Sequence, residues 1–134
     1  MNISIKRPID GVIQVFQEMY PDKRCLIVYT DSYIPNLEDK NDDRLYLGWC
    51  QAWEDDDAQP SWRILISGLV SLNDSVAILI HELSHIIGGY DHGKDFKKAV
   101  RLILSGYIKW AKKNLGKFAP KFKLRAIYRE TWYQ

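Results

Sequence analysis

The stretch His81-Glu82-Leu83-Ser84-His85 constrains this chain more than any other. Two histidines four residues apart on an α-helix project from the same face, about 6 Å apart along the axis. Both imidazoles can therefore bind one metal ion at about 2.0–2.1 Å. Glu82 lies about 100° further round the helix, where its carboxylate can accept a proton from a water molecule instead of acting as a ligand. The spacing predicts a catalytic centre of the zinc-hydrolase type.

An apolar stripe predicts that the motif lies on a buried helix. Ser71 or Asn73 can cap the start of this helix, and the pair Gly88-Gly89 can end it. Small residues accompany the two histidines on the side opposite the stripe, where they would leave room for a metal ion. The stripe consists of Val76, Leu79, Ile80, Leu83, Ile86 and Ile87.

A third ligand is expected just downstream, because a catalytic zinc site takes three protein ligands and keeps one position open for water. Asp91, His92 and Asp95 are the candidates. His92 is favoured because neutral imidazole suits zinc better than a lone carboxylate, and because the chain has only three histidines.

Hydrophobic patterning predicts an α+β fold with a small, mostly antiparallel sheet. Two segments have helical spacing, one short apolar run is typical of a buried strand, and two alternating segments indicate an antiparallel hairpin. A basic and aromatic stretch is interpreted as a late strand. The two helical segments are residues 9–20 and 95–115, and the buried strand is residues 25–30. The hairpin strands are residues 44–54 and 62–67, and the late strand is residues 121–128.

Composition indicates one soluble globular domain of 134 residues, with 46% hydrophobic and 27% charged residues. No apolar run reaches the roughly 18 residues that a membrane helix needs, and the first residues contain no apolar signal core. A cytoplasmic location is therefore expected. Cys25 and Cys50 are expected to be reduced.

The net charge of +2 hides a strong asymmetry. Residues 1–93 hold 7 Lys/Arg and 15 Asp/Glu, whereas residues 94–134 hold 12 Lys/Arg and 2 Asp/Glu. A basic surface within residues 94–129, followed by a basic extension at about 117–134, predicts a polyanionic partner such as nucleic acid. The alternative is a lysine-rich face that only solvates the protein. The expected contributors include Lys109, Lys112, Lys113, Lys117, Lys121, Lys123, Arg125 and Arg129.

The motif His81-Glu82-Leu83-Ser84-His85, followed by His92-Gly93-Lys94-Asp95-Phe96, resembles the SprT-like zinc metallopeptidases. The resemblance covers about residues 62–104. It implies a single zincin-like domain over residues 1–134, zinc bound by His81, His85 and His92, and Phe96 packed under the site. The cysteine-rich zinc ribbon of many bacterial members is absent, since the chain has two cysteines.

The resemblance also implies peptide-bond hydrolysis, with Glu82 as general base and DNA-associated proteins among the substrates. By similarity to zincins, the strand at residues 62–67 would be the edge along which an extended substrate pairs. Tyr90, Tyr128 and Tyr133 are candidates for stabilising the oxyanion. The residues expected at that edge are Arg63, Ile64, Leu65 and Ile66.

Two alternatives remain open at this stage. The sequence also fits the metzincin pattern in its aspartate form, with Gly88 at the turn and Asp91 as third ligand. Metzincins carry a methionine turn after the site, whereas Met1 and Met19 both precede it. The second alternative is a non-catalytic module that binds nucleic acid or protein and holds a structural zinc ion.

Overall fold

The computed structural model describes residues 7–54, 60–120 and 122–129, and these residues form an α+β protein, as predicted. No helix in these ranges is both long and apolar enough to cross a membrane. A 3-10 turn at Gly116–Phe118 precedes the helix at Leu124–Tyr128. The elements in chain order are α1 (Pro8–Met19), β1 (Arg24–Thr30), β2 (Ile34–Pro35), β3 (Leu45–Tyr46), β4 (Gly48–Glu54), β5 (Pro60–Ser67), α2 (Leu72–Gly88), α3 (Lys94–Asn114) and α4 (Leu124–Tyr128).

The main sheet has three strands in the order β1-β5-β4. The predicted hairpin is confirmed, because β4 and β5 pair antiparallel. The expectation of a mostly antiparallel sheet is wrong for this sheet, since β1 and β5 pair parallel. A separate antiparallel pair joins the short strands β2 and β3. Alternation along a strand reports which face is buried, but it carries no information about the direction of the neighbouring strand.

The prediction that residues 62–67 form the sheet edge is also wrong. Ile64 of β5 pairs with Ile27 of β1 on one side and with Cys50 of β4 on the other. Arg63, Leu65 and Ile66 likewise have partners on both sides. The backbone of β5 is therefore unavailable to a substrate, and β4 is the edge strand on this side of the sheet.

Helix α2 occupies the centre of the molecule and contacts β4, β5 and the other three α-helices. Its apolar stripe packs against Ile64 and Ile66 of the sheet and Ile103 of α3, all of which are fully buried. On the opposite side of α2, Ala77, His81 and Ser84 are buried as well, and a cavity of about 250 Å³ lies beside His81 and His85. This side therefore leaves room for a metal ion, as predicted.

The prediction of a late strand at residues 121–128 is wrong, because residues 124–128 form α4. The side chain of Ile127 is fully buried in the core that α2 and α3 share. Arg129, just after α4, lies 3.5 Å from Asp74 near the start of α2. Packing against α2 and α3 therefore determines the conformation of this segment, which its residue types alone do not predict.

The sheet also explains why the cysteines are unpaired. Cys25 lies on β1 and Cys50 on β4, with β5 between them. Two strand spacings alone place them at least about 9–10 Å apart, beyond the reach of a disulfide. Both thiols are free, as predicted.

Candidate metal centre

The ring nitrogens of three histidines converge at one point. The Nε2 atom of His81 lies 3.1 Å from Nε2 of His85 and 3.2 Å from Nε2 of His92. Within the described ranges, these three residues form a cluster close enough to bind a metal ion. His81 and His85 come from one face of α2, and His92 comes from the loop between α2 and α3.

Two backbone carbonyls fix the orientation of the imidazoles on α2. Nδ1 of His81 lies 2.5 Å from the carbonyl oxygen of Ile127, and Nδ1 of His85 lies 2.8 Å from that of Gly89. A carbonyl oxygen only accepts a hydrogen bond, so each Nδ1 carries the proton and donates it. Each Nε2 atom is then left with a lone pair that points into the cluster.

This arrangement fits a cation. Lone pairs on neighbouring Nε2 atoms repel each other, and no hydrogen remains to be shared between His81 and His85. A tetrahedral ion with bonds of about 2.0–2.1 Å holds its nitrogen ligands about 3.3 Å apart, close to the separations found here. Imidazole suits zinc, copper, iron and nickel, so the donor set alone is consistent with several metals.

Burial keeps the most enclosed ligand neutral. Burial lowers the pKa of His81 to about 3, while the hydrogen bond to the Ile127 carbonyl acts in the opposite direction and the neighbouring His85 and His92 lower it further. Neutral imidazole is the form that binds metal.

Gly88, Gly89 and Phe96 allow the loop that carries His92 to approach His81 and His85. A Cβ atom on Gly88 would lie 2.4 Å from the backbone nitrogen of Phe96, so only glycine lets α3 start this close to α2. Gly89 ends α2 with a φ of 86°, a conformation that favours glycine. The buried ring of Phe96 then lies 4.7–5.0 Å from all three imidazoles, between ring centroids.

Glu82 is buried beside the histidine cluster. It lines a cavity of about 250 Å³ together with the three histidines and residues of β4. A Cβ atom on Gly48 would lie 2.4 Å from Ile78 and 3.2 Å from an Oε1 of Glu82, so this glycine provides the space for the carboxylate. Burial, and then the charge of Glu82, raises the pKa of Cys50 well above its usual range. Cys50 therefore lines the cavity as a neutral thiol.

The remaining sequence candidates lie in different places. Asp91 is not part of the cluster within the described ranges; its carboxylate instead accepts a hydrogen bond from the backbone N–H of Gly93 at 3.2 Å. Tyr90 lines the cavity, whereas Tyr128 lies 6.4 Å from Phe96 between ring centroids. Tyr133 lies outside the described residues. Sequence reasoning missed Ile127, whose role depends on a backbone atom and so leaves no signal in residue type.

The hydrogen bond from His81 to the backbone carbonyl of Ile127 predicts that α4 strengthens metal binding. Ile127→Ala removes the side chain that anchors α4, so the carbonyl that orients His81 should lose its fixed position. We expect metal affinity to fall about tenfold, the lower end of the range for such supporting contacts. Competition with a chelating dye measures the affinity. Leu124→Ala, at a more exposed position of the same helix, is the matched control, and equal affinities in the two variants would contradict the prediction.

Comparisons of the chain with protein families, curated proteins and solved structures found no match. The function of the site is therefore inferred from its own residues.

Proposed function

We propose that this chain is a zinc-dependent peptidase. The observation that carries the proposal is the convergence of three Nε2 atoms beside a buried glutamate that opens on a cavity. A structural zinc site is closed by four protein ligands, whereas a catalytic site has three and an open position. The three histidines and the adjoining cavity support the catalytic type, and they argue against the alternative of a non-catalytic zinc module.

A bound zinc ion would polarise the scissile carbonyl and make a water molecule a better nucleophile near neutral pH. The chain's own residues supply the remaining functions. His81, His85 and His92 would hold the ion. The Glu82 carboxylate would accept the proton of the attacking water and deliver it to the leaving amine. Of the three tyrosines considered from the sequence, Tyr90 lines the cavity, and we assign it the contact with the substrate carbonyl.

The edge of β4 is the proposed place for the substrate backbone. Gly48, Trp49 and Cys50 of β4 line the cavity that contains the histidines. The side of β4 away from β5 pairs with no strand in the described ranges. An extended peptide could therefore add to this edge through main-chain hydrogen bonds, with its scissile bond close to Glu82.

The proposal is tested by incubating the purified, zinc-loaded chain with an unfolded protein such as casein and identifying new peptide termini by mass spectrometry. Cleavage should stop when 1,10-phenanthroline removes the metal and return when zinc is restored. Cleavage that persists at full strength without metal would assign the activity to something other than this site.

Binding to nucleic acid is a second proposal, favoured by the exposed face of α3. Seven exposed Lys or Arg residues occupy this helix, with Asp95 as its acidic residue. Among the aromatic residues of the region, Trp110 and Phe122 pack on the core, whereas Phe118 is highly exposed and available to stack on a base. Lys121 lies outside the described residues. The basic residues of the α3 face are Lys94, Lys97, Lys98, Arg101, Lys109, Lys112 and Lys113.

Phosphate contacts by this face predict DNA binding that depends strongly on salt and little on sequence. Replacing Lys98 with glutamine should reduce the slope of log affinity against log salt by about 1, the loss of one phosphate contact. Lys40→Gln, at an exposed lysine in the acidic part of the chain, should leave the slope unchanged. Fluorescence anisotropy with labelled duplex DNA measures both. A lack of binding at low salt would contradict the proposal and leave α3 as a solvated face.

A further inference from the structure

Two carboxylates, those of Glu38 and Glu82, are the formally charged groups among the described residues that line the cavity. Glu82 is buried next to the histidines, whereas Glu38 is exposed. No lysine or arginine lines the cavity within the described ranges. The proposed mechanism uses Glu82 and gives Glu38 no function.

Hydrogen bonds hold the backbone at Glu38 in place. The Oδ1 atom of Asn36 accepts from the backbone N–H of Glu38 at 2.9 Å and from that of Asp39 at 2.8 Å. The amide group of Asn36 in turn donates to Asp42 at 2.9 Å. Glu38 therefore lies in a hydrogen-bonded turn that places the residue at the cavity.

The loop that carries Glu38 contains two cations, Lys40 and Arg44. Lys40 is exposed, and Arg44 is engaged by Asp42. Arg44 donates to both carboxylate oxygens of Asp42, at 2.9 and 3.0 Å, and the hydroxyl of Tyr46 donates to Asp42 at 2.5 Å. Hydrogen bonds from Arg44, then Tyr46 and Asn36, hold the pKa of Asp42 below its usual range. No ion pair within the described ranges joins Glu38 to a lysine or arginine.

The cavity also offers aromatic surface next to this carboxylate. Tyr46 and Trp49 line the same cavity and pack edge to face, with ring centroids 4.9 Å apart. Aromatic faces attract cations, and their apolar surface suits the aliphatic part of a lysine or arginine side chain. Arg44 already lies over the ring of Tyr46, 5.7 Å from its centroid, which leaves Trp49 as the aromatic surface for a substrate cation. Glu38 and Trp49 line the same cavity and together form an environment complementary to a long basic side chain.

We infer that Glu38 selects peptides with a lysine or arginine close to the scissile bond. This inference rests on the proposed peptidase function and names the substrate class of the same site. Glu38 acts as a specificity residue, which binds the side chain of the substrate and takes no part in the proton transfers.

Binding to a hydrolytically impaired protein tests the inference independently of turnover. Two fluorescein-labelled peptide pools carry at one position either lysine or norleucine, which keeps the four side-chain carbons of lysine without the ammonium group. Randomised neutral residues flank this position in both pools. The zinc-loaded Glu82→Gln protein should bind the lysine pool about tenfold more tightly. Adding Glu38→Gln should abolish this preference. Adding Asp43→Asn, at an exposed carboxylate of the same loop outside the cavity lining, should leave it intact.

Equal binding of the two pools, or a lysine preference that survives Glu38→Gln, would overturn the inference. The preference should also weaken as salt is raised, because the cavity is open to solvent. Cleavage by the wild-type protein separates this inference from the proposed function. If the wild-type protein binds lysine peptides through Glu38 but cleaves none of them, the selectivity of Glu38 would stand and the proposed peptidase function would be refuted.

Discussion

Replacing His81 with alanine is expected to reduce bound zinc from about one ion per chain to nearly none. His81 is the most buried of the three ligands, and its Nε2 atom lies within 3.2 Å of those of both other histidines. Without His81 the ion would keep two histidine ligands, His85 and His92, and two ligands bind zinc far more weakly than three. Elemental analysis of the purified protein after dialysis measures the zinc content.

The third ligand is tested in the same way with variants that disturb the interior less. His92 lies on a loop, so the His92→Ala variant should lose most of its zinc while its circular dichroism spectrum stays unchanged. Asp91→Ala, one residue away, is the matched control and should keep zinc because its carboxylate lies outside the cluster. Full zinc occupancy in His81→Ala would refute the site. Zinc lost in Asp91→Ala but kept in His92→Ala would assign the third position to Asp91.

Glu82→Gln is expected to keep zinc and lower peptide hydrolysis at least ~10²-fold, the usual scale for loss of a general base. Glutamine has nearly the same shape as glutamate, so the variant should still fit the space that Gly48 leaves beside Ile78. What it loses is the ability to accept a proton. The ratio of kcat/KM values for wild type and variant, at equal zinc content, measures the effect.

Thermal unfolding controls for a merely structural role of Glu82. A buried carboxylate also affects stability. A Glu82→Gln variant with lower activity and a much lower Tm would therefore not distinguish a catalytic role of Glu82 from a structural one. Glu82→Asp keeps the proton acceptor but shortens the side chain, and it should retain more activity than Glu82→Gln. Unchanged turnover in Glu82→Gln would show that any peptidase activity arises elsewhere.

The local elements could be predicted from the sequence because their causes are local. Helical spacing of apolar residues predicts α1, α2 and α3, and the observed bounds differ from the predicted ones by about one residue. Ser71 caps α2 by accepting from the backbone N–H of Asp74 at 3.2 Å. The i and i+4 spacing of His81 and His85 likewise places two imidazoles on one face of any helix.

Relationships between distant segments could not be predicted in this way. The register of β5 against β1 on one side and β4 on the other determines that β5 is central, and alternation in one strand contains no record of its neighbours. The 124–128 segment shows the same limit, because its helical form depends on burying Ile127 among residues of α2 and α3. A local pattern reports the burial of a face but not the partner that covers it.

The sequence by itself determined the chemistry of the candidate site: two histidines one helical turn apart, a glutamate between them and one further histidine nearby. Tertiary structure decided how those groups are held. The carbonyl of Ile127 orients His81 from 46 residues away, Gly88 lets α3 approach α2, and Glu38 reaches the cavity from a separate loop. Residue type determines which bonds a side chain can form, whereas only the folded chain brings together atoms that are far apart in sequence.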